Sequence, residues 1–292
     1  MGALRDIAWA KLNLTLEVVG RRPDSFHALR SLVAFAGVGD TVELSPQDGL
    51  DLRVEGPFGP ALGGTNLIIE AAQAAKALRP GLTLGRFRLV KILPVAAGIG
   101  GGSADAGAAL RLIARASDGA LTDAEASALA PELGSDVAVC LKSKPAVITG
   151  RGEIVRAVDG FPSCGVVLVN PGVPLATAEV YGALDAAPLD ASPADTPPLD
   201  FAGDFDRLIE YASRHGNDLE QVAIRLAPEV GNVLAALSEL DGARLARLSG
   251  SGATCFAVFA TPREAHRAAT ILAQGEPDWW IASGMLGDPA SA

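Results

Sequence analysis

Apolar and polar residues alternate from Lys11 to Val18: Leu12, Leu14, Leu16 and Val18 take one side of an extended chain, and Lys11, Asn13, Thr15 and Glu17 the other. The pattern predicts a strand from Leu12 to Val19 with a buried leucine face and a polar face that is either solvated or turned to a ligand. A turn follows at Arg21-Arg22-Pro23-Asp24-Ser25. Further strands are expected at Thr41–Leu44, Leu50–Val54, Phe87–Leu93, Ala146–Ile148, Gly165–Val169 and Cys255–Phe259, where apolar and β-branched residues gather in short runs.

Helical spacing appears between them. Leu67, Ile68, Ala71, Ala75 and Leu78 mark a helix over Asn66–Leu78, and an alanine- and leucine-rich pattern marks another over Ala104–Ala116. Thr122 and Glu125 form a capping-box pair opening a helix over Thr122–Ala130. Later helices are expected at Asp204–Arg214, Pro228–Leu240 and Pro262–Gln274, whereas Asp185–Asp200, rich in Ala, Pro and Asp, reads as an exposed loop without chemistry. Strands and helices mix without strict βαβ alternation, which favours an α+β fold in two lobes. The boundary is expected near residues 150–165, giving an N-terminal domain of 1–157 and a C-terminal domain of 158–292. No internal repeat is found.

A chain of 292 residues, 49% apolar and 20% charged, can bury a sizeable core. Its 34 acidic residues against 24 basic ones leave a formal charge of −10, which argues against a nucleic-acid or anionic-membrane surface. A local basic pocket for a phosphorylated metabolite stays open. Cys140, Cys164 and Cys255 are widely spaced and form no Cys-x-x-Cys pair, so they read as reduced thiols of a cytoplasmic protein. Arg5, Asp6 and Lys11 interrupt the N-terminus, so no signal peptide is expected, and no apolar run is long enough to span a membrane.

The chemistry concentrates in Leu93-Pro94-Val95-Ala96-Ala97-Gly98-Ile99-Gly100-Gly101-Gly102-Ser103-Ala104-Asp105-Ala106. Four glycines in five residues join a predicted strand to a predicted helix. Glycine lets a ligand approach the backbone, and the helix N-terminus offers free N–H groups to an anion. The loop has no Gly-Lys-Ser/Thr end, so it is not a Walker A loop, and the third glycine of the dinucleotide fingerprint is misplaced. A tight packing turn is the alternative.

Lys11 and Asn13 share a strand face and would suit a phosphate or a hydroxyl, unless they are simply solvated. Asp136 precedes the apolar run Val137–Leu141, either as a catalytic carboxylate or as a helix-start aspartate. His27, after Phe26, could hydrogen-bond a base or simply pack, while His215 and His266 read as surface residues. A second glycine–serine turn, Leu248-Ser249-Gly250-Ser251-Gly252-Ala253, leads into the strand at Cys255.

The order of these features resembles the GHMP small-molecule kinases. Within that superfamily, Ala10 to Leu16, Gly20-Arg21-Arg22-Pro23-Asp24-Ser25-Phe26-His27, Pro94 to Ala106, Leu133 to Val137 and Leu248 to Ala253 resemble the branch acting on 4-diphosphocytidyl-2-C-methyl-D-erythritol. The Arg-Arg-Pro-Asp…His block is the specific one.

The resemblance implies ATP and Mg²⁺ as cofactors and transfer of the γ-phosphoryl group to the substrate's 2-hydroxyl, in the non-mevalonate isoprenoid pathway. It implies Lys11 and Asp136 as catalytic residues, with Asp136 accepting the hydroxyl proton while Lys11 stabilises charge. Pro94, Gly98, Gly100, Gly101, Gly102 and Ser103 would serve the ATP phosphates, and Asn66 and Lys91 the adenine pocket. Asn13 would meet the polyol, His27 the cytosine edge, Phe26 and Tyr181 the two faces of the base, and Thr177 the diphosphate side. Gly250, Ser251 and Gly252 match the third motif, in the second lobe. No residue is implied as the Mg²⁺ ligand.

The chain departs from the usual branch pattern in three places: Phe26 replaces a tyrosine, Ser25 a turn glycine and Ala104 a second serine. A homoserine- or mevalonate-type kinase would have no use for Phe26-His27. A nucleotide sensor would have no use for Lys11 with Asp136.

Overall fold

The computed structural model describes residues 2–189 and 197–291 of the chain. Its contacts divide the chain into two compact units that interleave along the sequence: residues 1–10, 39–95 and 100–143 form the first, and 11–38, 96–99 and 144–292 the second. The lobes expected at 1–157 and 158–292 are a division of sequence, and the packing divides the chain differently. The strands β1 (Leu4–Asn13) and β3 (His27–Ser45) each pass from one unit to the other.

In the first unit, β4 (Leu50–Glu55) and β5 (Gly85–Val90) pair in parallel, with Leu50 opposite Gly85 and Glu55 opposite Val90. A parallel pair needs a crossover, and α1 (Leu67–Leu78) supplies it, capped by Asn66 as the apolar spacing led one to expect. β5 pairs antiparallel with the Thr41–Ser45 end of β3.

Helix α2 (Gly101–Ala116) begins three residues earlier than its alanine pattern, inside the glycine run. It packs against α1, α3 (Asp123–Leu133) and α4 (Val137–Lys142). Small residues permit this closeness. A Cβ on Gly107 would lie 2.9 Å from the backbone of Cys140 and Leu141. The capping box of Thr122 and Glu125 is present at the start of α3. Arg111 of α2 reaches Asp6 and the carbonyls of Ile7, Cys140 and Leu141, tying β1 and α4 to α2.

In the second unit, β2 (Glu17–Arg21) and β6 (Ala146–Gly150) flank the N-terminal part of β3, and β7 (Ile154–Ala157) pairs with β6. β11 (Trp280–Gly287) joins β3 to β8 (Cys164–Asn170), which pairs with β10 (Cys255–Phe259) and then β9 (Leu245–Leu248), all antiparallel. Every residue of β8 and β10 is buried, in keeping with their continuous apolar runs.

The remaining helices are α5 (Thr177–Ala183), α6 (Phe205–His215), α7 (Glu220–Leu226), α8 (Pro228–Ser238) and α9 (Pro262–Gly275). Val167, Val169, Val230, Val233, Leu237 and Phe259 lie in the core between these helices and the strands. The expected loop at Asp185–Asp200 falls partly outside the described residues.

The first predicted strand requires a correction. β1 ends at Asn13 and β2 starts at Glu17, so the alternating segment is broken between them. Its polar face is not solvated: Lys11, Asn13 and Thr15 are 4%, 2% and 1% exposed. The side chains find polar partners inside the protein instead.

Candidate active site

Those partners form a hydrogen-bond network in the second unit. The Lys11 ammonium donates to Asn13 Oδ1 at 3.0 Å, and Asn13 Nδ2 donates to Ser31 Oγ at 2.8 Å. Ser31 in turn donates to the Thr15 carbonyl, while Thr15 Oγ1 accepts from the Leu32 amide. The Asn13 amide donates to Ser249 Oγ at 3.3 Å, and that hydroxyl donates to the Gly98 carbonyl at 3.0 Å.

Segment 96–99 of the first glycine loop and the second loop therefore meet beside the end of β1. Lys11 N–H bonds Ile99 O, and Thr254 N–H bonds Ala97 O. Gly98, at φ +73°, is required here, since a Cβ would lie 2.4 Å from Ser249 O. Asn217 supports the second loop by donating to the carbonyls of Leu248 and Gly250 at 2.9 Å. Thr177 and Ser251, both expected on the substrate side, share a hydrogen bond of 2.9 Å.

The expected base-binding residues lie in the same unit. His27 stacks on Tyr181 with ring centroids 4.9 Å apart, a spacing that admits no ring between them. Phe26 is half exposed and carries the Arg151 guanidinium 4.9 Å from its ring centre, a cation–π contact. Burial, and then the charge of Arg21, hold the His27 imidazole below its ordinary range, which favours the neutral ring with one donor and one acceptor. Ser25 has φ +67°, the left-handed conformation glycine would take without cost, so the serine bears backbone strain. Phe26 N–H and the Arg22 guanidinium both bond the Asp24 carboxylate, fixing the turn. His215, expected at the surface, instead packs on Tyr211 and bonds Glu17.

In the first unit, Gly100 is the N-cap of α2 at φ +65°, and the helix has no acidic residue in its first turn. The N–H groups of Gly101, Gly102 and Ser103 thus open a positive helix end that no side-chain carboxylate of that turn offsets. Gly102 is exposed, and Pro94, at the entry of the loop, is buried. Asn66 Oδ1 caps α1 by accepting from Ile68 N–H. Asp136 is the N-cap of α4 and makes no capping bond with its side chain, so its place at the helix start suits both the catalytic and the dipole-complementing reading.

Lys91 departs from expectation. Its ammonium is enclosed, 2.5 Å from Asp40 Oδ2 and 2.7 Å from Asp105 Oδ2, with all three residues at most 2% exposed. Asp40 Oδ1 accepts the Ile92 and Leu93 amides at 2.6 and 2.9 Å. Asp105 Oδ1 is buried and bonds nothing. Burial would lower the Lys91 pKa, but the charges of Asp105 and Asp40 outweigh it and raise it. Burial, aided by Asp40 and opposed by Lys91, raises Asp105 to about 7.

Sequence reasoning passed over Ser31, Asp40 and Asn217, and used Asp105 only as part of the loop. A serine inside an apolar strand and an aspartate after Gly37-Val38-Gly39 were the available signals, and neither names its partner.

Two family models match the chain: GHMP kinases N terminal domain over residues 66–144 and GHMP kinases C terminal over residues 199–277. With the glycine loop leading into α2, they define the class as a GHMP kinase. A homoserine kinase structure from Cytophaga hutchinsonii shares that fold at a TM-score of 0.70 and 17% identity, covering 99% of this chain and 96% of its own.

Nearer relatives narrow the class. A 4-diphosphocytidyl-2-C-methyl-D-erythritol kinase of Methylobacterium radiotolerans is 48% identical, covering 98% of this chain and all (100%) of its own length. One from a Bradyrhizobium species is 44% identical over 98% of this chain and 97% of its own. The crystal structure of a 4-(cytidine 5'-diphospho)-2C-methyl-D-erythritol kinase superposes with a TM-score of 0.78 at 31% identity, covering 97% and 99% of the two chains. The chain belongs to the family of 4-diphosphocytidyl-2-C-methyl-D-erythritol kinases.

Proposed function

We propose that the chain transfers the γ-phosphoryl group of ATP to the 2-hydroxyl of 4-diphosphocytidyl-2-C-methyl-D-erythritol, a step in making isoprenoid precursors without mevalonate. The hydroxyl oxygen forms a bond to the γ-phosphorus, the bond to the β-phosphate oxygen breaks, and ADP leaves. Asp136 takes the hydroxyl proton, and Lys11 stabilises negative charge in the transition state.

Such chemistry is mostly positioning and electrostatics. The observation that carries the reading is the junction of the two glycine loops at Lys11 and Asn13, in a chain whose full-length relatives bear this enzyme name. Asn13 fixes the Lys11 ammonium, so that its charge is oriented before a substrate arrives.

The amides of Gly100 to Gly102 and the Ser103 hydroxyl hold the ATP phosphates at the start of α2, with Asn66 on the adenine side. Mg²⁺ enters as part of the nucleotide substrate. A hard cation of this kind is bound mainly through phosphates and water. Neutral His27 reads the cytosine edge, Phe26 and Tyr181 offer aromatic surface to the base, and Thr177 with the Gly250–Ser251 turn meets the diphosphate side.

The test is a coupled ADP-release assay with Mg²⁺–ATP and 4-diphosphocytidyl-2-C-methyl-D-erythritol, with homoserine and mevalonate in parallel. Turnover with the cytidylyl substrate alone is expected. Turnover with another alcohol would keep the kinase and discard the base site, and no turnover in folded, ATP-binding protein would point to a nucleotide sensor.

A further inference from the structure

The Lys91 cluster touches both ends of the glycine loop. On the entry side, Asp40 Oδ1 accepts the amides of Ile92 and Leu93, the two residues before Pro94. On the exit side, Lys91 grips Asp105 in the second turn of α2 and lies so close to Gly101 that a Cβ there would be 3.0 Å from Nζ. Asp40 holds the ammonium from β3, and the Lys91 backbone is fixed by bonds to Glu55 O and from Phe58 N–H. One buried ammonium therefore links the strand side of the loop to the helix whose N-terminus faces the phosphates.

We propose that Asp40, Lys91 and Asp105 clamp the two ends of the phosphate loop, making Lys91 a positioning residue for nucleotide instead of a group that touches it. The proposal rests on the reading of this loop as the ATP site. Its logic follows from what a loop lysine does elsewhere: a Walker A loop places its ammonium on the phosphates, whereas here the ammonium sits behind the first turn of α2, balanced by two carboxylates. The amides do the binding, and the clamp sets their spacing. The unbonded, buried Asp105 Oδ1 fits this account, because the carboxylate is placed for its contact with Lys91 and not for full hydrogen bonding of its own.

The experiment compares wild type, Asp105→Asn and Lys91→Met in the full chain. It measures the Kd for Mg²⁺–ATP by calorimetry, the KM of each substrate, the melting temperature, and amide exchange in the peptide covering residues 94–106. In Asp105→Asn, loss of a charge-assisted contact is expected to weaken Mg²⁺–ATP about tenfold. Exchange in the loop peptide should quicken, while the KM for the diphosphocytidyl substrate stays within about twofold. Lys91→Met is expected to act in the same direction and more strongly. If it fails to fold, Asp105→Asn decides.

A lowered melting temperature with unchanged Mg²⁺–ATP affinity and loop exchange would overturn the clamp and leave a purely structural ion cluster. Equal losses for both substrates would overturn it as well. If wild type itself binds no Mg²⁺–ATP, the nucleotide reading falls first, and the proposal with it.

Discussion

The two units solve the same problem with different chemistry. Each buries polar side chains beside a glycine-rich turn, but the first unit uses a charged knot, Lys91 with Asp40 and Asp105, and the second a neutral mesh, Asn13 with Ser31 and Ser249. Charges removed from water carry a large desolvation penalty that only a complete set of partners offsets. Neutral groups lose little on burial when bonded, and losing one member strands a smaller debt. The knot is therefore rigid and brittle, and the mesh is tolerant. The proposed catalytic group of each unit can be set against this difference.

Chemistry gives the largest expected effect. Asp136→Asn keeps shape and removes the proposed proton acceptor, and kcat is expected to fall by about 10²–10⁴-fold. Calorimetry should show both substrates still binding. A near-normal kcat would take the base role from the first unit and leave Lys11, in the second, as the main catalytic group.

Next comes the knot. Lys91→Met leaves two buried carboxylates without their cation and is expected to destabilise the chain by about 3–5 kcal/mol, read by urea denaturation. Ser31→Ala, the matching cut in the mesh, should lose about 1–3 kcal/mol, because it leaves Asn13 Nδ2 unsatisfied. Equal losses would erase the contrast.

The finest distinction is pH. Asp105 holds its proton more tightly in the folded chain, with a pKa raised to about 7, than a carboxylate does in the unfolded chain. Between the ordinary carboxylate range and about 7 the folded state thus carries the extra proton, so stability falls as pH rises through that window. Asp105→Asn should flatten this slope, while Ser31→Ala should leave it intact. Denaturation midpoints at pH 5 and pH 8 would decide.

What could be read from the sequence was local. Thr122 and Glu125 stand three residues apart and bond each other, so their helix start was legible. The continuous apolar runs of β8 and β10 announced themselves in the same way. The glycine loop and its helix were legible too, because strand, loop and helix adjoin in the chain. The polar face of β1 stayed open between a solvated and a binding face, because its partners are not adjacent and Ser249 lies 236 residues away. Lys91 was placed at the adenine pocket by resemblance alone, and its ion pairs were not legible because its carboxylates stand at positions 40 and 105. β3 was seen only as Thr41–Leu44, because glycines at 37 and 39 interrupt its apolar pattern. Yet those glycines let other backbone approach: a Cβ on Gly39 would lie 2.5 Å from Ala8 O. The short helix α4 hid inside an apolar run too brief to show a period.

The bond from Asn13 to Ser249 spans 236 residues of chain. During synthesis the partners of Asn13 and Thr15 on β3 follow within 18 residues, whereas the Ser249 contact waits for nearly the whole polypeptide. A nascent chain of this kind closes the contact between Asn13 and the second glycine loop as one of its last folding events. Closing so long a loop adds an entropic cost to the folding of this segment that the strength of the finished contact alone does not reveal.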